Sequence, residues 1–189
     1  MTAWEIVATV AGFLCVLLTM RQNIWCWPVG LLQTGIYVWL FWSVRLYSDL
    51  GLQVVYIVLQ LLGWWSWLHG GRDRGRLAVS RLGPRATLVW LGVGLAGTAA
   101  LGATMFRFTD AALPFWDAAQ ASLSLVAQWL MNRKRVESWL FWIAVDVLSV
   151  GIYHAKGLPF TSLLYAAYLV MATMGWFAWR RDLARARAA

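Results

Sequence analysis

Gly63-Trp64-Trp65-Ser66-Trp67 returns 112 residues later as Gly175-Trp176-Phe177-Ala178-Trp179, and each copy closes a long apolar segment. The same offset relates further pairs, which are Trp4 and Trp116, Arg21 and Arg133, Trp27 and Trp139, and Tyr56 and Tyr168. Repetition at a fixed interval indicates an internal duplication of a kind common among membrane transporters. The sequence therefore predicts two copies of a three-segment unit, residues 1–68 and 116–180, with a spacer between them.

The composition places this chain in a lipid bilayer. Of its 189 residues 61% are hydrophobic and 13% are charged, whereas an ordinary soluble domain is about half apolar. A membrane-spanning helix needs about 20 mostly apolar residues. Seven segments are candidates: 4–20, 25–42, 47–68, 86–106, 116–132, 138–154 and 159–179. We predict an all-α integral membrane protein with seven transmembrane helices.

The positions of the basic residues predict the topology. If the N-terminus lies outside, 13 of the 16 basic residues fall in inner segments: Arg21, Arg72, Arg74, Arg76, Arg81, Arg85, Arg133, Lys134, Arg135, Arg180, Arg181, Arg185 and Arg187. Only Arg45, Arg107 and Lys156 then lie outside. Because Lys and Arg mark cytoplasmic loops, we expect the N-terminus outside, the C-terminus inside and a basic cytoplasmic tail over 181–189. This placement also argues against nucleic acid as a partner.

The spacer, residues 69–115, is expected to contain a basic cytoplasmic loop, a linker helix and an outer loop. Two three-helix units joined directly would face opposite ways across the membrane, so one additional span restores their parallel orientation. Small residues allow close contact between membrane helices. The linker segment carries four glycines at Gly92, Gly94, Gly97 and Gly102. We interpret it as an inverting linker helix.

Catalytic and metal chemistry are not expected. Two cysteines and two histidines are too few for a disulfide framework or a zinc cluster, and no phosphate-binding P-loop is present to drive a pump. Asp117 and Asp146 lie at different depths of their segments, so a membrane-embedded enzyme is only a remote alternative.

Glu137 is expected to pair with the adjacent bases 133–135. The first segment carries no signal-peptide pattern and is expected to be retained.

Polar side chains form helical stripes in several segments. In the sixth segment Trp139, Trp142, Asp146, Ser149 and Tyr153 step by three and four and so share one helix face. An aspartate at a span centre costs about 2.5–3.5 kcal/mol on insertion scales, so such groups usually face a cavity or a partner. Similar stripes in the other segments include Gln33, Gln53, Gln60, Gln120, Gln128, Tyr165 and Tyr168. These stripes predict a polar, aromatic-walled cavity between the two repeats.

Two other interpretations of these residues remain open. The glutamines can instead bond across helices, each bond contributing roughly 1 kcal/mol. Tryptophans near segment ends are typical anchors at the membrane surface, and this interpretation is favoured for Trp4, Trp25, Trp65, Trp90 and Trp116. A cavity with indole walls and one carboxylate suits a flat cation, because a desolvated cation gains about 2 kcal/mol over a Trp face. The predicted ligand is therefore a cationic nucleoside or vitamin.

The order of motifs resembles the PnuC family of nicotinamide riboside transporters. The resemblance rests on Pro114-Phe115-Trp116-Asp117 and on the run from Leu130 to Trp139 followed by Trp142. In the first repeat it rests on Leu52-Gln53 and on Gly63-Trp64 ending in Trp67. It covers nearly the whole chain, from about Trp4 to Trp179.

This resemblance implies a 3+1+3 fold similar to that of the SWEET sugar transporters, with the substrate between two three-helix bundles. It implies facilitated diffusion of nicotinamide riboside across the bacterial cytoplasmic membrane and trapping of the product by a cytoplasmic kinase. Thiamine and other vitamins are carried by related proteins and stay open as alternative substrates. Proton coupling through Asp146 and the formation of homo-oligomers are also left open, and no cofactor is implied.

The predicted substrate site combines the stripes with the positions that match the family. Asparagine can also stand at 33, 60 and 146 in the family, so a neutral amide can serve there. The predicted substrate-binding residues are Gln33, Gln53, Gln60, Trp64, Gln120, Trp139, Trp142, Asp146 and Tyr165.

Overall fold

The computed structural model describes residues 3–43, 45, 47–71, 74–110 and 112–188, and Arg72 of the predicted inner loop lies outside them. Within these residues the chain forms seven helices: α1 (Ala3–Met20), α2 (Cys26–Ser43), α3 (Tyr47–His69), α4 (Pro84–Phe108), α5 (Pro114–Asn132), α6 (Ser138–Ala155) and α7 (Pro159–Ala188). The predicted all-helical fold with seven helices is confirmed. The chain divides into two compact units, Met1–Ala78 and Val79–Ala189.

The helix boundaries repeat with the offset seen in the sequence. Helices α2 and α6 begin 112 residues apart and end 112 residues apart, and so do the ends of α1 and α5. The loop backbone repeats as well, because left-handed residues occur at Gln22 (φ 54°) and Lys134 (φ 47°), and at Arg45 (φ 60°) and Gly157 (φ 70°). Positive φ is uncommon outside glycine, so these matched pairs extend the duplication to the turns that follow the first two helices of each copy.

Five helices, α1, α3, α4, α6 and α7, are long and apolar enough to span a membrane by length and composition alone. Helices α2, α5 and α6 each pack against two neighbours: α2 contacts α1 and α3, α5 contacts α4 and α6, and α6 contacts α5 and α7. Polar groups in a bilayer are tolerated where they face protein rather than lipid. The burial of Thr34, Ser124 and Asp146 in these three helices agrees with this arrangement.

In the first unit, α1 and α3 pack on the two sides of α2. Trp27 of α2 meets Trp67 of α3 edge to face, with ring centroids 5.2 Å apart. The Cys15 thiol of α1 donates to the carbonyl oxygen of Cys26 at 3.2 Å. These contacts connect the three helices through buried aromatic and polar groups.

In the second unit, α4 lies close to α5 because glycines of α4 face α5. A side chain at Gly94, Gly97 or Gly102 would collide with Leu123, Ser122 or Phe115 of α5, whereas Gly92 faces open space. The Ser122 hydroxyl donates to the carbonyl oxygen of Gly94 at 2.9 Å. Close packing of the linker helix through its glycines is thus observed for three of the four predicted positions.

A short strap, residues 79–82, pairs with the turn between α5 and α6. The amide of Ser80 donates to the carbonyl oxygen of Lys134, and the amide of Val136 donates to that of Ser80, both at 3.0 Å. The buried Glu137 carboxylate accepts from the Leu82 amide at 2.8 Å and lies 3.5 Å from the Arg81 guanidinium. Glu137 was expected to pair with residues 133–135; its partner is Arg81 instead, because the strap brings that base alongside.

Helix α7 continues past the predicted span to Ala188. Residues 181–188, expected to be a tail, are therefore helical, and Arg185 lies 3.9 Å from Asp182 one turn earlier. Pairs with this spacing support a solvated helix by a few tenths of a kcal/mol. Pro84, Pro114 and Pro159 each stand at the first residue of a helix, where proline is tolerated because the first amides lack partners.

Candidate substrate site

The predicted stripe on α6 is present, and its central carboxylate is isolated. Asp146 is 5% exposed, and within the described part of the chain no hydrogen bond or ion pair reaches it. Burial of a charge without a partner is costly, so such a group is normally retained for a ligand or a partner. Asp146 is the strongest candidate for a ligand contact in the second unit.

The first unit shows how the equivalent position is satisfied. Thr34 corresponds to Asp146, and its hydroxyl receives a hydrogen bond from the Gln60 amide at 2.7 Å. Gly30 leaves the room that this amide occupies, because a Cβ there would collide with Gln60. In the second repeat the counterparts of Gln60 and Gly30 are Ala172, which is buried, and Trp142. The first copy therefore has an internal hydrogen bond whose donor has no counterpart in the second copy.

Two tryptophans add unpaired donors. Trp27 and Trp139 occupy equivalent positions, and both indole N–H groups are buried without a hydrogen-bond partner among the described residues. Trp139 packs edge-on against Trp179 at 5.5 Å between ring centroids, and it covers Gly175, whose missing side chain makes room for the ring. An unmade buried hydrogen bond costs about 1–3 kcal/mol, and a hydrogen-bonding partner at either N–H group would remove that cost.

Of Trp142 and Tyr165, only Trp142 lies close to Asp146 along the α6 axis. Trp142, one turn before Asp146, is half-buried and packs against the apolar cluster of α5 and α6 that includes Leu130 and Val145. Tyr165 stacks on Tyr153 with ring centroids 5.2 Å apart. Tyr153 lies seven residues beyond Asp146, or about 10 Å along the helix axis. Tyr165 therefore joins the α6 stripe at its far end rather than beside Asp146.

The remaining predicted residues have different surroundings. Gln33, Gln53 and Trp64 of the first unit and Gln120 of the second are half-buried. Gln60 forms the interhelical bond to Thr34, as in the alternative interpretation of the glutamines. Asp117, on the Gln120 helix, pairs with Lys156 at 2.7 Å. The structure thus brings Trp139, Trp142 and Asp146 onto one helix face and gives Gln60 a structural partner.

The predicted substrate-binding residues include Trp139 but not Trp27. The repeat offset carried the missing signal, because Trp27 is the counterpart of Trp139 and shares its unpaired N–H. The sequence also indicates that Asp146 lacks this hydrogen-bond donor, because alanine stands at 172 where the first repeat has Gln60.

Comparison with known proteins agrees with this helical architecture. The family model described as nicotinamide mononucleotide transporter matches residues 2–181. The chain belongs to this family. It is a multi-pass membrane transporter and not an enzyme.

Several family relatives have assigned functions. The nicotinamide riboside transporter PnuC of Escherichia coli strain K12 is 30% identical over 93% of this chain and 84% of its own length. The riboflavin/roseoflavin transporter RibM of Streptomyces davaonensis is 25% identical over 95% of this chain and 86% of its own. A crystal structure of the vitamin B3 transporter PnuC superimposes with a TM-score of 0.74 and 26% identity, covering 95% of this chain and 81% of that one.

Proposed function

We propose that this protein carries nicotinamide riboside across the bacterial cytoplasmic membrane. The observation that carries the proposal is the buried, unpaired carboxylate of Asp146 on the helix face that also bears Trp139 and Trp142. Nicotinamide riboside is a flat pyridinium cation with a carboxamide, and the relative from Escherichia coli is named as its transporter.

Each group on this face has a role in recognising the cation. The Asp146 carboxylate supplies the opposite charge, and two unit charges about 4 Å apart attract by about 4 kcal/mol at an effective dielectric of 20. The exposed part of the Trp142 ring offers a surface on which an aromatic cation can stack. The Trp139 N–H donates to a carbonyl or hydroxyl oxygen of the ligand, which would remove the cost of leaving that donor unpaired.

Transport is proposed to be facilitated diffusion, with the N-terminus outside and the C-terminus inside. The distribution of basic residues supports this orientation. An uncoupled carrier only equalises concentrations, so net uptake requires a reaction that consumes the internal substrate. Phosphorylation by a cytoplasmic kinase would do so, because a phosphate ester adds negative charge that opposes return past the Asp146 carboxylate.

Three other ligands test the specificity. Thiamine is also an aromatic cation, so charge alone does not separate it from nicotinamide riboside. Riboflavin, suggested by the relative from Streptomyces davaonensis, is neutral and gains nothing from a counter-charge. Nicotinamide mononucleotide carries a phosphate whose negative charge is unfavourable beside a buried carboxylate.

The test is to titrate the purified protein with these four ligands by calorimetry and to follow uptake into vesicles. We expect nicotinamide riboside to bind most tightly, and its uptake to stop at equal internal and external concentrations even under an imposed proton gradient. Preference for thiamine would change the substrate but keep the cation site. Preference for riboflavin, or accumulation driven by the proton gradient, would contradict the proposal.

A further inference from the structure

A cavity lies in the second unit where α4 begins and α5 ends. Its volume is about 310 Å³. The lining combines two bases with four apolar side chains, which are Leu82, Trp90, Trp129, Leu130, Arg133 and Arg135. The candidate substrate site uses none of these residues, so the cavity needs its own explanation.

The charge of this cavity is positive and uncompensated. The nearby carboxylate, Glu137, is already engaged by Arg81 and by the amide of Leu82. Within the residues that the structure describes, neither Arg133 nor Arg135 meets a carboxylate. Two unneutralised guanidinium groups at one opening attract an anion, and phosphate oxygens suit their planar donor geometry.

Each of the two guanidinium groups has a contact within the local structure. The Arg133 guanidinium lies 4.8 Å from the centroid of the Trp129 ring, one turn earlier on α5. The Arg135 guanidinium donates to the carbonyl oxygen of Arg81 at 3.4 Å, and the Arg135 backbone forms a bridge with Ser80 of the strap. These contacts place both bases at the same opening, where one phosphate can meet the two of them.

The apolar half of the lining indicates the kind of anion. Trp90 and Trp129 are ring side chains of the type that lies at the level of lipid headgroups. A small inorganic ion would use only the arginines, whereas a phospholipid presents a phosphate beside glycerol and acyl carbons. We propose that this cavity binds the phosphate group of an anionic phospholipid, with Arg133 and Arg135 on the phosphate and Trp90 and Trp129 against its apolar part.

The chain offers a matched control for this proposal. Arg180 lies 5.4 Å from the centroid of the Trp176 ring, so it repeats the arginine-over-tryptophan contact at another helix. Arg180 and Arg181 do not line the cavity. Replacing this pair removes the same charge as replacing Arg133 and Arg135, and any general effect of net charge on lipid attraction appears equally in both variants.

The experiment is native mass spectrometry of the full chain released from micelles that contain equal amounts of phosphatidylglycerol and phosphatidylcholine. We expect one phosphatidylglycerol to be retained in preference, and its affinity to fall about fivefold for each of Arg133→Gln and Arg135→Gln. Arg180→Gln with Arg181→Gln should leave this preference unchanged. Arg135 also contacts the strap, so Arg135→Gln can reduce the folded yield. In that case Arg133→Gln, at an exposed side chain, tests the site by itself.

A second arm separates lipid from soluble phosphate. Inorganic phosphate and glycerol phosphate are added to the protein in neutral detergent, and thermal unfolding is followed by tryptophan fluorescence. Protection by phosphatidylglycerol alone supports the lipid, whereas equal protection by soluble phosphate that disappears in Arg133→Gln would overturn the lipid and retain the phosphate site. Equal lipid loss in the Arg180 and Arg181 control, or no loss in the cavity variants, would overturn the proposal entirely.

Discussion

Replacing Asp146 by asparagine separates the charge of the candidate substrate site from its hydrogen bonding. The side chain is buried and has no partner among the residues that the structure describes, so the asparagine amide fits the same space and keeps an acceptor oxygen. A cation about 4–5 Å from the carboxylate is attracted by roughly 3–4 kcal/mol at an effective dielectric of 20. Desolvation of the ligand offsets part of this attraction. The expected net loss is about 1.4–2.8 kcal/mol, or tenfold to a hundredfold in affinity.

The assay is calorimetric titration with nicotinamide riboside, with Asp117→Asn as the control that removes the same charge from the pair with Lys156. Asp117→Asn should change affinity less than twofold, because that pair is partly exposed and weakly coupled. The ratio between Asp146→Asn and the parent should persist from about 0.05 M to 0.5 M salt, since buried charges are little screened. Asp146→Leu should abolish binding while raising thermal stability, because it removes an unpaired buried charge. Unchanged affinity in Asp146→Asn would refute the counter-charge argument and leave only a hydrogen-bonding role.

Three further changes test neighbouring contacts. Trp139→Phe removes an indole N–H that has no partner among the described residues, and it should weaken ligand binding about fivefold because one hydrogen bond is worth about 1 kcal/mol. Trp179→Phe, in the same ring pair, should leave ligand binding unchanged, and equal losses of affinity in calorimetry would assign the effect to packing. Gly175→Ala places a methyl group against the Trp139 ring and should destabilise the protein by about 1–3 kcal/mol in thermal unfolding. Gly151 faces open space, so Gly151→Ala should be neutral or slightly stabilising in the same measurement. Gln60→Leu breaks the bond to Thr34 and should cost about 1 kcal/mol of stability with substrate affinity unchanged; a tenfold loss of affinity at constant stability would return Gln60 to the substrate site.

The helix order could be predicted because long apolar segments in a bilayer admit few alternatives. The offset between Trp27 and Trp139 predicted equivalent positions, and in the structure each ring packs edge-on against a tryptophan at the same offset, Trp67 and Trp179. The pairing of the strap with the turn before α6 was not predictable, since it joins Ser80 to Arg135 across a long stretch of chain with no local pattern. For the same reason the sequence assigned Glu137 to its nearest bases in the chain rather than to Arg81.

The candidate site was predictable to the level of residue type and helix face. The α6 stripe follows from its spacing, so Trp139, Trp142 and Asp146 could be grouped without a structure. Spacing does not show which amide already has a hydrogen-bond partner inside the protein. Gln60 was predicted to bind substrate, and in the structure its amide bonds to Thr34. The two repeats aligned position by position carry more information than either stripe alone, because the alignment shows which internal partners one copy has and the other lacks.

The contact between α4 and α5 has a consequence for the assembly of the chain during synthesis. With Asp117, Gln120 and Gln128 along it, α5 is too polar to enter lipid readily by itself. Helix α4 emerges from the ribosome just before it and offers a glycine-lined face and a carbonyl acceptor for Ser122. We expect the two helices to leave the insertion machinery together, as a hairpin. The linker would then act first as an insertion partner for the second repeat, before that repeat has any substrate to bind.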